Sequence, residues 1–178
     1  MQAILRERLL ENLLRLPDLL DLYMQQDGRF VARTLHWLQQ VEKDLAPTRN
    51  PVIARISSLR GQLLAADDGL LNEHISRSSS SRKSRRALAA HVLQCAEAEL
   101  NTQLQQVDAQ LEELRDKLAQ LIAIVSSKES IPHSDHLTSG YLDRVWQQLH
   151  QHQDTLSMSS YIKTRCNAVD RRYLLQEL

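Results

Sequence analysis

The chain has 178 residues, 42% hydrophobic and 25% charged, with 22 Lys and Arg balanced by 22 Asp and Glu. That apolar content at zero net charge excludes intrinsic disorder, and the balance leaves no global field to draw the protein to nucleic acid or membrane. Aromatic residues make up only 4% and there are four Gly, so sheets are disfavoured and an all-α fold is expected.

The first predicted helix covers residues 2–26. Leu9, Leu13, Leu16, Leu20 and Tyr23 step by four and three, which keeps one face apolar. Pro17 lacks a backbone donor and restricts the residue before it, so a kink or break is expected near Leu16. Asp27-Gly28 is the expected stop. A second helix, 29–45, places Val31, Leu35, Leu38 and Leu45 on one face with Phe30, Trp37 and Val41 beside them. Pro47 to Pro51 forces a turn, with Asn50 as N-cap and Pro51 at the first helical position. The third helix carries Val52, Ile56, Leu59, Leu63, Ala66 and Leu70, and Asp67-Asp68-Gly69 loosens its end.

Residues 76–86 hold Ser, Arg and Lys with no apolar side chain, the clearest linker in the chain. From Ser84 to about Ser126 there is neither Gly nor Pro. Within that stretch Leu100, Leu104, Val107, Leu111, Leu114, Leu118, Leu121 and Val125 are consecutive heptad core positions, and a 3.5-residue repeat keeps such a seam facing one partner. Ala89, Leu93 and Ala96 continue it upstream after a skip. Ile122 and Ile124 widen it at the far end, which predicts burial there by more than one neighbour.

A loop near 127–139 ends in Thr138-Ser139-Gly140, a cap region. Residues 141–178 again lack both breakers and carry two seams. Leu142, Val145, Leu149, His152 and Leu156 form one, and Met158, Ile162, Cys166, Val169 and Tyr173 the other. They predict one long helix with a phase slip, or two helices broken near 157–160. The expected architecture is a helical bundle of five or six helices ending in a long antiparallel, coiled-coil-like hairpin. It divides into a three-helix segment (1–76), a basic Ser/Arg linker (77–86) and the hairpin (87–178).

The eight seam residues are the candidate partner-binding surface, although the core of a bundle uses the same spacing. Arg77, Arg82, Lys83, Arg85 and Arg86 form a second candidate. Residues 77–86 carry a local charge of +5, leaving −5 on the remainder. Such a tract can contact phosphates by counterion release, act as an import signal or present Ser78 or Ser84 to a basophilic kinase. It lacks the aromatic side chains that stack on bases.

His133-Ser134-Asp135-His136 brings three ligand-type side chains together, but no second pair completes a zinc shell. His150 and His152, two apart, face different ways on a helix. Cys95 and Cys166 cannot make a disulfide framework, which fits a reducing compartment. The N-terminus lacks a signal-peptide run, and no apolar stretch approaches a membrane span.

No metal, cofactor or catalytic fingerprint stands out: there is no Glu-x-x-His, no Gly-x-Ser-x-Gly and no phosphate-binding glycine loop. The Arg-to-His spacing of the HEPN ribonucleases is met by Arg86 and His91 and again by Arg144 and His150. The polar residue usual after the Arg is Ala87 or Val145 here. The expected function is that of a soluble, intracellular, non-catalytic helical scaffold or adaptor, homo- or hetero-oligomeric, docking partner helices in a multiprotein assembly. Expected cofactors are none. The alternatives are a factor touching nucleic-acid phosphates through 77–86, nuclear if eukaryotic, and a HEPN-like helical ribonuclease.

Overall fold

A computed structural model describes residues 2–67, 79–131 and 136–178. Leu70, Arg77, Ser78, His133 and Asp135 therefore lie outside the described residues, as does the expected loosening at Asp68-Gly69. The described residues contain eight α-helices, two short 3-10 turns and no strand. The helices are α1 (Gln2–Leu13), α2 (Leu16–Met24), α3 (Phe30–Leu45), α4 (Val52–Asp67), α5 (Ser79–Ser126), α6 (Ser139–Gln151), α7 (Leu156–Arg165) and α8 (Ala168–Gln176).

The chain folds as two compact units, one of residues 5–105 and one of residues 1–4 with 106–178; α1 and α5 each contribute to both.

In the unit of residues 5–105, the break expected at Pro17 falls at Leu14 and Arg15. Pro17 stands in the first turn of α2, where its missing N–H has no intrahelical partner to lose. The stop after α2 is a Schellman motif: Asp27 N–H donates to Leu22 O (3.0 Å) and Gln26 N–H to Tyr23 O (3.2 Å). The left-handed position is Gln26, φ 57°, rather than Gly28. On α3 the core stripe is Phe30, Thr34, Trp37, Leu38, Val41 and Leu45, all buried, while Val31 and Leu35 are half-buried. The expected apolar face is thus rotated toward Phe30 and Trp37, because Thr34 satisfies its hydroxyl on Phe30 O (2.9 Å) and can be buried. Asn50 Oδ1 accepts the Val52 N–H (2.9 Å), the expected cap of α4. Helix α4 buries Val52, Ile56 and Leu63, and Arg60 on it reaches Glu42 of α3 (2.8 Å).

In the unit that contains 106–178, Thr138 Oγ1 accepts the Tyr141 N–H (3.3 Å) and caps α6. The C-terminal stretch is three helices, neither one long helix nor two broken near 157–160; Ser157 and Ser160 lie inside α7. The first break, at 152–155, has His152 in an extended conformation, with its side chain accepting the Asp154 N–H. Thr155 there hands its hydroxyl to Leu149 O. The second break, Cys166-Asn167, is set by Asn167, whose Oδ1 accepts the Asp170 N–H (2.9 Å) at the start of α8. Both breaks are made by side chains that offer the backbone an alternative to the helix, which Gly- and Pro-based reading does not register. The described chain therefore has eight α-helices rather than five or six. Ile122 and Ile124 are half-buried, less covered than the widened stripe predicts.

Candidate interaction site

The heptad seam lies on α5. Leu100, Val107, Leu111, Leu114, Leu118, Leu121 and Val125 are buried by the chain itself, and Leu104 is half-buried. Polar contacts from that helix show which neighbours lie beside each half. Arg55 of α4 pairs with Glu99 (2.5 Å) in one unit. In the other, Tyr161 of α7 donates to Glu113 (2.8 Å) and Gln2 to Gln110 (2.8 Å). The hydrogen bond to Glu113 holds the Tyr161 hydroxyl above its ordinary pKa, and burial adds to it.

The described cations of the basic tract are helical, not a loop, because α5 begins at Ser79. Arg82 and Lys83 are exposed there and Arg85 is half-buried. Arg86 is committed to the fold. Its guanidinium lies over the ring of Tyr23 (4.9 Å to the centroid) and near that of Phe30 (6.0 Å), and it donates to Tyr23 O. Five residues on, His91 is rotated by roughly 140° around the helix. It is exposed, with its ring beside the Cys95 sulfur (3.6 Å). Arg86 and His91 therefore face different ways. Arg144 and His150 also diverge: Arg144 is exposed, whereas His150 stacks on Trp146 (centroids 5.7 Å apart) and bonds Ser159 Oγ through Nδ1 (3.0 Å). Among the described residues no three His, Cys, Asp or Glu side chains gather as a metal site. No helix of the described residues is long and apolar enough to cross a membrane.

Two surface features of α2, absent from the sequence reading as sites, stand out. The first is an apolar flank. Leu20 is 47% and Met24 76% exposed; with exposed Pro17 they are spaced i, i+3 and i+7 on one side of the helix, and Leu14 just before it is 77% exposed. The second is an open groove of about 480 Å³ between α2 and α3. Leu19, Leu22 and Trp37 give it an apolar lining, and Arg15, Arg29, Arg33 and His36 stand around them with Asp18 and Gln40. Trp37 is fixed there by its indole N–H, which donates to Asn12 O (3.1 Å).

The arginines are held in a particular way. Asp27 grips Arg29 through Nε and Nη2 (3.1 and 2.6 Å) and also accepts the Arg29 backbone N–H (2.8 Å). Those bonds hold the Asp27 carboxyl down at about 2. Arg15 stands 3.6 Å from Asp44. In both pairs the acid is tucked in, at 20% and 15% exposure, while the Arg29 and Arg15 side chains are 71% and 48% exposed. Arg33 is exposed and makes no side-chain ion pair among the described residues. The sequence spacing predicts Leu16, Leu20 and Tyr23 as the apolar side of this segment; the structure buries Leu16 and Leu19 instead and leaves Leu20 and Tyr23 exposed. Folding against α3 makes Arg15, Asp18, Leu19 and Leu22 a groove wall.

No protein-family model matches the chain, and no curated protein or solved structure is significantly similar to it.

Proposed function

We propose that this chain is a non-catalytic helical adaptor that docks a partner helix within a multiprotein assembly. The observation that carries this reading is the apolar flank of α2, where Leu20 and Met24 stay exposed although the rest of the unit has a well-buried apolar core. Side chains of this size clustered on one helix face mark interaction surfaces more often than scattered single residues do. Burial of seven of the eight seam side chains favours this flank over the heptad seam as the docking surface, since docking on the seam requires displacing the chain's own helices. The commitment of Arg86 to Tyr23 and Phe30 weighs against the phosphate-contact and HEPN-like readings, both of which use that side chain.

The test is affinity capture with the wild-type chain and with a Leu20→Ser/Met24→Ser double variant. Specific partners retained by the first and lost by the second support the adaptor reading. An identical set, or none from either, counts against it.

A further inference from the structure

We propose that the α2–α3 groove binds an acidic, amphipathic segment of a protein partner, with an apolar side chain resting on Leu22 and the uncovered edges of Trp37 and Leu19, and carboxylates on the arginine rim. The protein nature of the ligand rests on the adaptor reading; the chemistry rests on the groove. Three guanidiniums and an imidazole border the groove against one lining carboxylate, Asp18. Two of those guanidiniums have acids behind them, Asp27 and Asp44, which are themselves largely covered and so place the Arg side chains without capping their outer edges. A guanidinium has five N–H donors, and Asp27 engages only the Nε and Nη2 side of Arg29, leaving donors for a second carboxylate. Arg33, exposed and in no side-chain ion pair among the described residues, adds a third cation to the rim. The apolar lining supplies the other half of the match: half-buried Leu22 and the small uncovered edges of Trp37 and Leu19 offer an entering apolar side chain hydrocarbon contact without displacing the fold. A helix with acids flanking an apolar stripe presents both elements at once, in the manner of helix-in-groove recognition.

A fluorescein-labelled synthetic amphipathic peptide with Leu and Phe on one face and Glu flanking them is titrated with the full chain, and anisotropy is read. Controls are the same peptide with Lys for Glu, the same peptide with Ser for Leu and Phe, and inorganic phosphate as competitor. The expected result is saturable binding by the Glu peptide alone. Arg33→Ala should weaken it several-fold and Arg29→Ala/Arg33→Ala by about tenfold or more, and raising salt should also weaken it. Arg33 makes no side-chain ion pair among the described residues and acts on Asp27 only through its charge, so its single variant tests the site with little effect on the start of α3.

Equal binding of the Lys peptide, or affinity unchanged in both Arg variants, overturns the proposal. Equal displacement by phosphate assigns the groove to a small anion and also overturns it. The Leu20→Ser/Met24→Ser variant should keep peptide binding, because that flank lies on the opposite side of α2. Loss of the groove result alone therefore leaves the adaptor reading standing. Loss of flank-dependent capture alone removes the flank and leaves the groove.

Discussion

The Asp170 carboxylate of α8 accepts the Ala3 backbone N–H of α1 at 3.0 Å, so a side chain near one end of the sequence caps the helix at the other. First-turn N–H groups have no partner inside their own helix, and a carboxylate there also meets the positive end of the helix dipole. Asp170 is fully buried. Burial would raise its pKa, but the hydrogen bonds at the start of the chain, including those from the Ala3 and Gln2 amides, outweigh it and hold the carboxyl below its ordinary value.

The sign of the pH dependence follows. A carboxyl with a depressed folded pKa stabilises the fold fully above its unfolded value of about 3.9 and loses that contribution as pH falls through the lower folded pKa. Asp170→Ala should cost about 1–2 kcal/mol near neutral pH in denaturant unfolding. Asp170→Asn keeps an acceptor but no charge, so it should cost less and should lose the Asp170 part of the acid-induced decline. A variant as stable as wild type at neutral pH would remove the cap from the account.

Arg86→Ala should destabilise the 5–105 unit by about 1–2 kcal/mol, through loss of the ring contacts and the bond to Tyr23 O. Arg86→Lys keeps the charge without the planar stack and should recover part of that. Arg82→Ala and Lys83→Ala, on exposed side chains, should stay within about 0.5 kcal/mol. Thermal unfolding of the four variants tests the ordering.

Leu118→Ala should cost about 3 kcal/mol, because its side chain is fully buried and truncation leaves a cavity. Leu20→Ser, on the exposed flank of α2, should change stability by no more than about 0.5 kcal/mol. Urea unfolding of the two separates core from docking surface. A Leu118→Ala variant of wild-type stability would mean that the seam is not core.

The two thiols should differ in reactivity. Burial pushes the Cys166 thiol up to about 11, so at pH 8 only about 0.1% of it is thiolate. Cys95, half-buried beside His91, has the better access. In the native chain an alkylating reagent should label Cys95 first, with Cys166 following only on unfolding; mass spectrometry of timed samples reads this directly. Equal rates would contradict the burial of Cys166.

Composition and periodicity by themselves determined an all-helical chain, the breaker-free helix that became α5, the caps at Asn50 and Thr138 and most of the buried leucines. These are local matters: propensity, cap chemistry and a 3.5- or 3.6-residue apolar rhythm act within a few turns of one helix. The breaks at 152–155 and 166–167 were harder to read, because His152, Thr155 and Asn167 interrupt the helix through side-chain hydrogen bonds that compete with it rather than through Gly or Pro.

Only the tertiary structure decided what each apolar stripe faces. It buried the seam of α5 within the chain and left Leu20 and Met24 of α2 uncovered, although all share the same helical spacing. It also turned Arg86 from a member of a basic tract into a cation seated on Tyr23 and Phe30. Those outcomes depend on contacts between residues dozens of positions apart, which no local pattern encodes.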